Sequence, residues 1–202
     1  MSFIFIKVIL RALNLNYNII YIDESNFQLQ NKNFRTWIKK EDPAHYGYKE
    51  SGKINFLLAV CTNDVINWKF TEENTNSKIF SEFLEETIKK INLSEKNKIL
   101  FVMDNHTSHV SKYTLKLVNK QKIKLLFSVP YESSFNSVEL SFRYIKNIIY
   151  KHIFKNINEL RIKVEEILNG NEFRKTIKKN FVETLERYYY FININDNFNM
   201  NI

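Results

Sequence analysis

Cysteine, proline and glycine are among the residues that this 202-residue chain uses least, with one, two and three copies. Because Cys61 is the only cysteine, the chain cannot form an intrachain disulfide and gives no sign of an oxidising compartment. Cys61 ends the apolar run FLLAVC, and we expect it to be a small core residue. Scarce glycine and proline with 15% aromatic residues argue against a disordered or loop-rich chain and favour one domain with a proper core.

An apolar run long enough to cross a membrane is also missing. The start, MSFIFIKVILRAL, is apolar, but it contains Lys7 and Arg11 and is too short to span a bilayer. It also lacks the order of charged, apolar and small residues that marks a signal peptide. We interpret this segment as an ordinary strand or helix, treat residues 1–16 as an N-terminal remnant, and expect no membrane partner.

Acidic residues are outnumbered, with 22 Asp and Glu against 30 Lys and Arg, which gives a net charge of +8. A basic domain of this size favours a polyanionic partner, with nucleic acid ahead of a membrane surface. The alternative is a lysine-rich soluble protein without such a partner, and charge alone does not separate the two.

Two apolar runs in the sequence each end in a carboxylate. In KILFVMDNHTSH, the run Ile99 to Met103 leads directly into Asp104, and in YNIIYIDESNF the run from Ile19 leads into Asp23. Short apolar runs bounded by polar residues are typical of buried strands. Since α/β sheets often build their sites at strand ends, two such acids favour a shared site over the simpler view that polar residues merely end strands.

The periodicity predicts the order β-β-β-α-β-α-β-α with further helices at the end, and hence a mixed α/β sheet of five strands flanked by helices. The strands are predicted over residues 19–28, 54–61, 65–70, 99–103 and 123–129, and the helices over residues 76–91, 110–120, 136–154, 157–169 and 171–190. Leu115 and Val118 are expected on the inner face of their helix, and residues 30–53 are expected to form a loop or weak hairpin.

A third acid lies in PYESSFNSVELSFRYIK, where Asn136 is expected to cap a helix and Glu139 to lie in its first turn. The structural alternative is a capping box, in which Glu139 would bond back to the cap. On a helix, Glu139 shares one face with Arg143 and Lys146. That pattern is ordinary salt-bridge spacing, but it would also suit a metal-binding carboxylate beside phosphate-binding cations.

Over roughly residues 17–150 the sequence resembles the catalytic domain of DDE transposases of the mariner-type superfamily. The matching motifs are Asp23-Glu24 after the first strand, Met103-Asp104-Asn105 with His109, Pro130-Tyr131 with Asn136, Glu139 and Lys146, and Asn76-Ser77 with Phe80 and Phe83-Leu84. Between Asp104 and Glu139 lie 34 residues. The three motifs that carry Asp23, Asp104 and Glu139 are fairly specific when they occur together in this order.

The chain departs from the family pattern at several positions. Ser133 and Ser137 stand where the family usually has prolines, and His106 stands where a small residue is common. The family's amino-terminal helix-turn-helix DNA-binding region is expected to be missing.

The resemblance implies a ribonuclease-H-like fold, with three antiparallel strands followed by parallel strands. It implies a catalytic domain at residues 17–155, with C-terminal helices at 156–202 packed on the same domain. It assigns Asp23, Asp104 and Glu139 as catalytic residues and as ligands of Mg²⁺ or Mn²⁺. Two such ions about 4 Å apart can clamp the attacking and leaving oxygens of a phosphodiester.

The resemblance also assigns supporting roles and partners. Asn105, His109 and Asn136 would orient ligands or DNA, and Arg143 and Lys146 would contact DNA phosphates. The partners would be transposon ends and target DNA; homodimerisation stays open, and the location would be the nucleus in a eukaryote and the cytoplasm otherwise. A structural zinc site at His106 and His109 is disfavoured because the chain lacks a cysteine pair.

The sequence is therefore compatible with three functions. The first is a metal-dependent transposase catalytic domain that cleaves and joins DNA strands. The second is an inactive transposon-derived DNA-binding remnant, and the third is a ribonuclease-H-like nuclease with another substrate. The intact set of three acids favours an enzyme, and the 34-residue spacing favours transposase ancestry over a ribonuclease.

Overall fold

A computed structural model describes residues 2–29, 52–91, 98–130, 132 and 135–199, with the side chains omitted from residue 194 onward. The strands are β1 (Asn18–Gln28), β2 (Lys53–Val60), β3 (Val65–Thr71), β4 (Ile99–Met103) and β5 (Lys124–Phe127). The helices are α1 (Ser2–Asn14), α2 (Ser77–Lys90), α3 (Lys112–Lys120), α4 (Ser137–Ile149), α5 (Ile157–Asn169) and α6 (Asn171–Asn199).

The five strands form one mixed sheet in the order β3-β2-β1-β4-β5. β1 pairs antiparallel with β2, and β2 antiparallel with β3. β4 and β5 are added in parallel on the other side of β1. This arrangement confirms the predicted ribonuclease-H-like sheet of three antiparallel strands followed by parallel strands.

Side chains of the central strands alternate between two apolar layers, as the period-two geometry of strands requires. On one face, Tyr21 and Val102 pack with residues of α1, α4, α5 and α6. On the other face, Ile20, Ile22 and Phe101 pack with α2 and α3. Because both faces are covered, the central strands are apolar along most of their length, which explains why they read as uninterrupted runs.

The apolar start of the chain is a helix rather than a strand. Phe5, Ile6, Ile9 and Ala12 of α1 are buried in the same layer as α4 and α6. None of the helices in the described part of the chain is both long and apolar enough to cross a membrane.

One predicted helix face and several predicted element limits were wrong. Leu115 is not on the inner face of α3 but is 38% exposed, because α3 turns Thr114 and Val118 inward. The helix predicted over residues 136–154 ends at Ile149, where the backbone N–H of His152 bonds to the carbonyl of Ile149 in a closing turn.

Two further limits differ from the prediction, and one predicted loop lies outside the described residues. β5 is shorter than the predicted strand over residues 123–129. α6 continues beyond the predicted end at residue 190 to Asn199, through most of the asparagine-rich residues 193–201. The loop predicted over residues 30–53 lies almost wholly outside the described residues, apart from Gly52 and the first residue of β2.

One buried tyrosine joins α6 to the middle of the domain. The hydroxyl of Tyr188 donates to the carbonyl of Phe135 at 2.6 Å and lies 3.4 Å from the hydroxyl of Tyr21 on β1. The Tyr188 ring also meets Phe5 of α1 edge-on. Burial raises the pKa of Tyr21 to about 12 and raises that of Tyr188 as well, so both hydroxyls stay protonated and can donate at neutral pH.

Candidate active site

The strand register places the first two acids side by side. β1 and β4 run parallel with Tyr21 opposite Val102, so two residues further along each chain Asp23 and Asp104 fall opposite one another. Asp23 is still within β1, and Asp104 follows the last residue of β4. Both therefore project on the face of the sheet that α4 covers, because residues two apart share a face.

The third acid reaches this point from α4. Asn136 caps the helix, as predicted, by accepting the N–H of Val138 on its Oδ1 at 3.3 Å. Val138, Phe142, Ile145 and Ile149 are buried against the sheet, which fixes the rotation of α4.

The alternative of a capping box for Glu139 finds no matching contact. Within the described residues, the Glu139 side chain makes no hydrogen bond back to the cap, and it lines an open cleft instead.

This cleft has a volume of about 480 Å³ and contains all three predicted acids. Its lining residues are Asp23, Asp104, Asn105, His106, Ser128, Val129, Pro130, Glu132, Asn136 and Glu139. Four of these are carboxylates, and among the lining residues that the structure describes none is a lysine or arginine. The cleft is therefore acidic within a basic chain, which suits a cation better than a phosphate in direct contact with its walls.

Asp23 is the acid of the cleft whose pKa is most strongly shifted. Burial raises its pKa well above the usual value, and the neighbouring charges of Glu139 and Asp104 raise it further. Two donors oppose this effect: the N–H of Glu24 donates to Oδ1 at 2.7 Å, and Asn136 Nδ2 donates to Oδ2 at 3.2 Å. Asn136 thus serves two purposes, since it caps α4 and fixes the Asp23 carboxylate.

Asp104 behaves differently from Asp23. Partial burial acts against its ionisation, but contacts from His109 and the backbone N–H of His106 outweigh burial and lower its pKa. His109 is fully buried, stacks on Phe80 with ring centroids 4.0 Å apart, and places Nδ1 against Asp104 Oδ1. His109 therefore orients Asp104 from behind the cleft and does not line it.

The donor set of the cleft fits a hard divalent cation, which prefers carboxylate oxygens. Such an ion would also relieve the repulsion that raises the pKa of Asp23. In the described conformation, however, no three His, Cys, Asp or Glu side chains close around a common point as a formed metal site does. Asp104 Oδ1 already contacts His109 and accepts the N–H of His106.

The remaining predicted residues are divided between the cleft and its surroundings. Asn105 lines the cleft and is exposed. Arg143 is exposed and Lys146 half-buried on α4, one and two turns beyond Glu139, and neither lines the cleft.

Two titratable residues of the cleft were assigned no role from the sequence. His106 lies in a loop and faces the cleft, and its Nδ1 is 2.8 Å from Ser108 Oγ. Glu132 adds a fourth acid. Its position two residues after Pro130, within a matched motif, is the signal that could have identified it.

Comparison with known proteins agrees with this geometry. The family model of the DDE superfamily endonucleases matches residues 18–161, which include all three acids. No curated protein matches the chain significantly.

Solved structures of a mariner transposase share the fold. The Mos1 mariner paired-end complex with Mg superposes with a TM-score of 0.75 at 14% identity, covering 93% of this chain and 59% of that chain. The Mos1 paired-end complex with the left transposon end gives 0.72 at 15%, covering 93% and 59%. The Mos1 catalytic domain alone gives 0.71 at 12%, covering 93% and 88%.

The chain thus spans about three fifths of the longer Mos1 chains and most of their catalytic domain. A family match over most of the length, a shared fold and three acids in one cleft lead to the same assignment. The chain belongs to the DDE superfamily of endonucleases and has the ribonuclease-H-like fold of the mariner Mos1 transposase catalytic domain.

Proposed function

We propose that this chain is the catalytic domain of a DNA transposase, which cleaves DNA strands and joins the freed ends to target DNA with divalent metal ions. The observation that carries the proposal is the convergence of Asp23, Asp104 and Glu139 on one acidic cleft, where the charges of Glu139 and Asp104 oppose ionisation of the buried Asp23. Such a cluster is costly for a fold unless cations neutralise it. The Mos1 structures that share the fold include complexes with Mg and with Mn.

In this proposal, Asp23, Asp104 and Glu139 hold two Mg²⁺ or Mn²⁺ ions. When bound, these ions polarise the phosphodiester and lower the pKa of an attacking water or hydroxyl. In the cleavage step, water attacks phosphorus, the bond to the 3′ oxygen breaks, and that oxygen leaves as a 3′-hydroxyl. In the joining step, this hydroxyl attacks a phosphodiester of the target and displaces its 3′ oxygen in turn.

The protein's own residues would orient these steps rather than form a covalent bond to DNA. Asn136 holds the Asp23 carboxylate and His109 holds that of Asp104, so two ligands are fixed by neighbours that do not themselves bind the ion. Arg143 and Lys146 would contact the DNA backbone beside Glu139. The DNA partners would be transposon ends and target DNA.

The test is strand cleavage of a supercoiled plasmid by the purified chain with Mg²⁺, Mn²⁺ or EDTA, beside an RNA–DNA hybrid of the same sequence. Metal-dependent plasmid nicking is expected, with little cleavage of the hybrid. Preferential cutting of the hybrid would favour a ribonuclease-H-like nuclease. Folded protein that neither nicks DNA nor gains thermal stability from the metal would identify an inactive remnant.

Asn136→Ala is expected to weaken Mg²⁺ binding about tenfold, in line with the usual cost of removing a residue that orients a ligand. It should also lower the free energy of unfolding by about 1 kcal/mol through loss of the helix cap. Asn156→Ala is the matched control, because Asn156 caps α5 by accepting the N–H of Glu159 at 3.0 Å. Calorimetric titration should show weaker binding only for Asn136→Ala; equal Mg²⁺ affinity in both variants would contradict the role assigned to Asn136.

A further inference from the structure

The outward face of α3 is lined with lysines. Lys112, Lys116 and Lys120 recur every four residues, which places them on one side of the helix, and all three are exposed. They span about 12 Å along the helix axis. Within the described residues, none of the three lysine side chains forms a hydrogen bond or ion pair with a protein group. We call these three residues the α3 lysine face.

The surrounding sequence contains nothing to neutralise this face. Between Asp104 and Glu132 the chain has five lysines and no acidic residue. Two other basic helix positions are by contrast paired with acids: Lys163 pairs with Glu166, and Lys175 with Glu172. An unbroken run of one charge is unfavourable for a folded domain by itself, which is why it points to a polyanionic partner.

A large exposed aromatic side chain adjoins the lysines. Tyr113 follows Lys112 and is 74% exposed. Tyrosine hydroxyls and lysine ammonium groups are both common donors to the phosphate oxygens of nucleic acid.

Hydrogen bonds tie the first turn of α3 to the rim of the catalytic cleft. Thr114 Oγ1 donates to the carbonyl of Ser108 at 3.1 Å, and the hydroxyl of Ser108 contacts the ring of the cleft residue His106. The α3 lysine face therefore begins beside the cleft and leads away from it.

α3 and α4 lie on opposite faces of the sheet. Val118 of α3 packs in the layer shared with α2, whereas Phe142 of α4 packs in the other layer. The α3 lysine face is thus separate from the surface on α4 that carries Arg143 and Lys146.

We propose that the α3 lysine face binds the phosphate backbone of duplex DNA outside the cleft, on the face of the sheet opposite α4. This inference rests on the proposed function, because it assumes that DNA is the substrate. It adds a second contact surface: a duplex held on α3 is fixed relative to the cleft through Thr114 and Ser108, so the bond to be attacked is positioned from both layers of the domain.

The experiment compares Lys112→Gln/Lys116→Gln/Lys120→Gln with a control triple, Lys98→Gln/Lys178→Gln/Lys179→Gln. The control lysines are also exposed and removed from the cleft, and their loss changes the net charge equally. Fluorescence anisotropy with a duplex of arbitrary sequence, without divalent metal, would give the slope of log Kd against log salt concentration. Since each phosphate contact contributes about 0.9 to that slope, the α3 triple should be shallower by about 2 to 3, and the control unchanged.

The possible outcomes separate this inference from the proposed function. A slope equal to wild type in the α3 triple, with DNA binding intact, overturns the inference and leaves plasmid nicking as an independent test. An equal drop in both triples also overturns it, because binding would then follow net charge alone. Absence of duplex binding by the wild type would remove both the inference and the DNA substrate of the proposed function. Thermal melting, expected to be unchanged in both triples, checks that they fold.

Discussion

Asp104→Asn is expected to lower metal-dependent plasmid nicking roughly a thousandfold, which corresponds to about 4 kcal/mol of transition-state stabilisation. Asparagine keeps the shape of the side chain but removes the charge that would hold a divalent ion at the end of β4. The backbone N–H of His106 can still donate to the remaining oxygen, so the loop after β4 should keep its form. The measurement is the initial rate of conversion of supercoiled to nicked plasmid at saturating Mg²⁺.

Asp64→Asn is the control for this experiment. The side chains of Asp64 and Asp104 are equally exposed, at 48%, and each is paired with a basic residue. Asp64 bonds to Arg174 at 2.9 Å and does not line the cleft. Full nicking by Asp64→Asn with none by Asp104→Asn locates the chemistry in the cleft. Equal nicking by both variants would show that the activity arises elsewhere or from a contaminating nuclease.

The second large effect concerns the stability of the domain against unfolding. Mg²⁺ should raise this stability, and the increase should be larger at higher pH. Burial and like charges raise the pKa of Asp23 in the folded protein above its unfolded value. Its contribution to stability is therefore present below an unfolded pKa near 4 and is lost as pH rises through the folded value. Without metal, the charged cluster should make the domain less stable as the pH rises through the folded pKa of Asp23.

Bound Mg²⁺ reverses this loss because it binds the deprotonated carboxylates. At a concentration 100-fold above its dissociation constant, Mg²⁺ would add about 2.7 kcal/mol, a rise in Tm of roughly 8 °C for a domain of this size. We expect this rise in buffers well above the folded pKa of Asp23 and a smaller one near pH 5. Thermal melts with Mg²⁺ and with EDTA across this range give the measurement.

Glu139→Gln serves as the companion variant for the stability experiment. It removes one of the charges that oppose ionisation of Asp23, so the metal-free domain should lose less stability with rising pH than the wild type. The same change removes a ligand, so the rise in Tm with Mg²⁺ should be much smaller. A wild-type rise that is the same at pH 5 and pH 8 would contradict the link between the metal and these carboxylates.

The core strands and the two aspartates could be predicted because both are local signals, whereas the site role of Glu139 followed from the family resemblance. An apolar run that ends in a carboxylate, as at Asp23 and Asp104, marks a buried strand directly, and Asn136 with Glu139 marks a helix start. The parallel register of β1 and β4 then brings the two aspartates together without any further information from the sequence.

Other features could not be predicted because they depend on packing between distant segments. Leu115 follows the periodicity of an apolar face, yet Thr114 occupies the inner position because its hydroxyl is satisfied by the carbonyl of Ser108. The full burial of His109 depends on Phe80 of α2, which lies far away in sequence. The α3 lysine face could not be predicted because its lysines are evenly dispersed in the sequence and cluster only on the helix surface.

The contact between Tyr188 and Phe135 has a consequence for chains that are still being synthesised or have been cleaved by a protease. The two residues are 53 positions apart, and Phe135 immediately precedes the residue that holds Asp23. During synthesis, the segment at Phe135 therefore lacks this contact until Tyr188 has left the ribosome. A nascent or proteolysed chain that stops at residue 161, where the family match ends, retains all three acids but lacks this anchor. The smallest piece that carries all three acids is thus shorter than the smallest piece that also carries the contact between Tyr188 and Phe135.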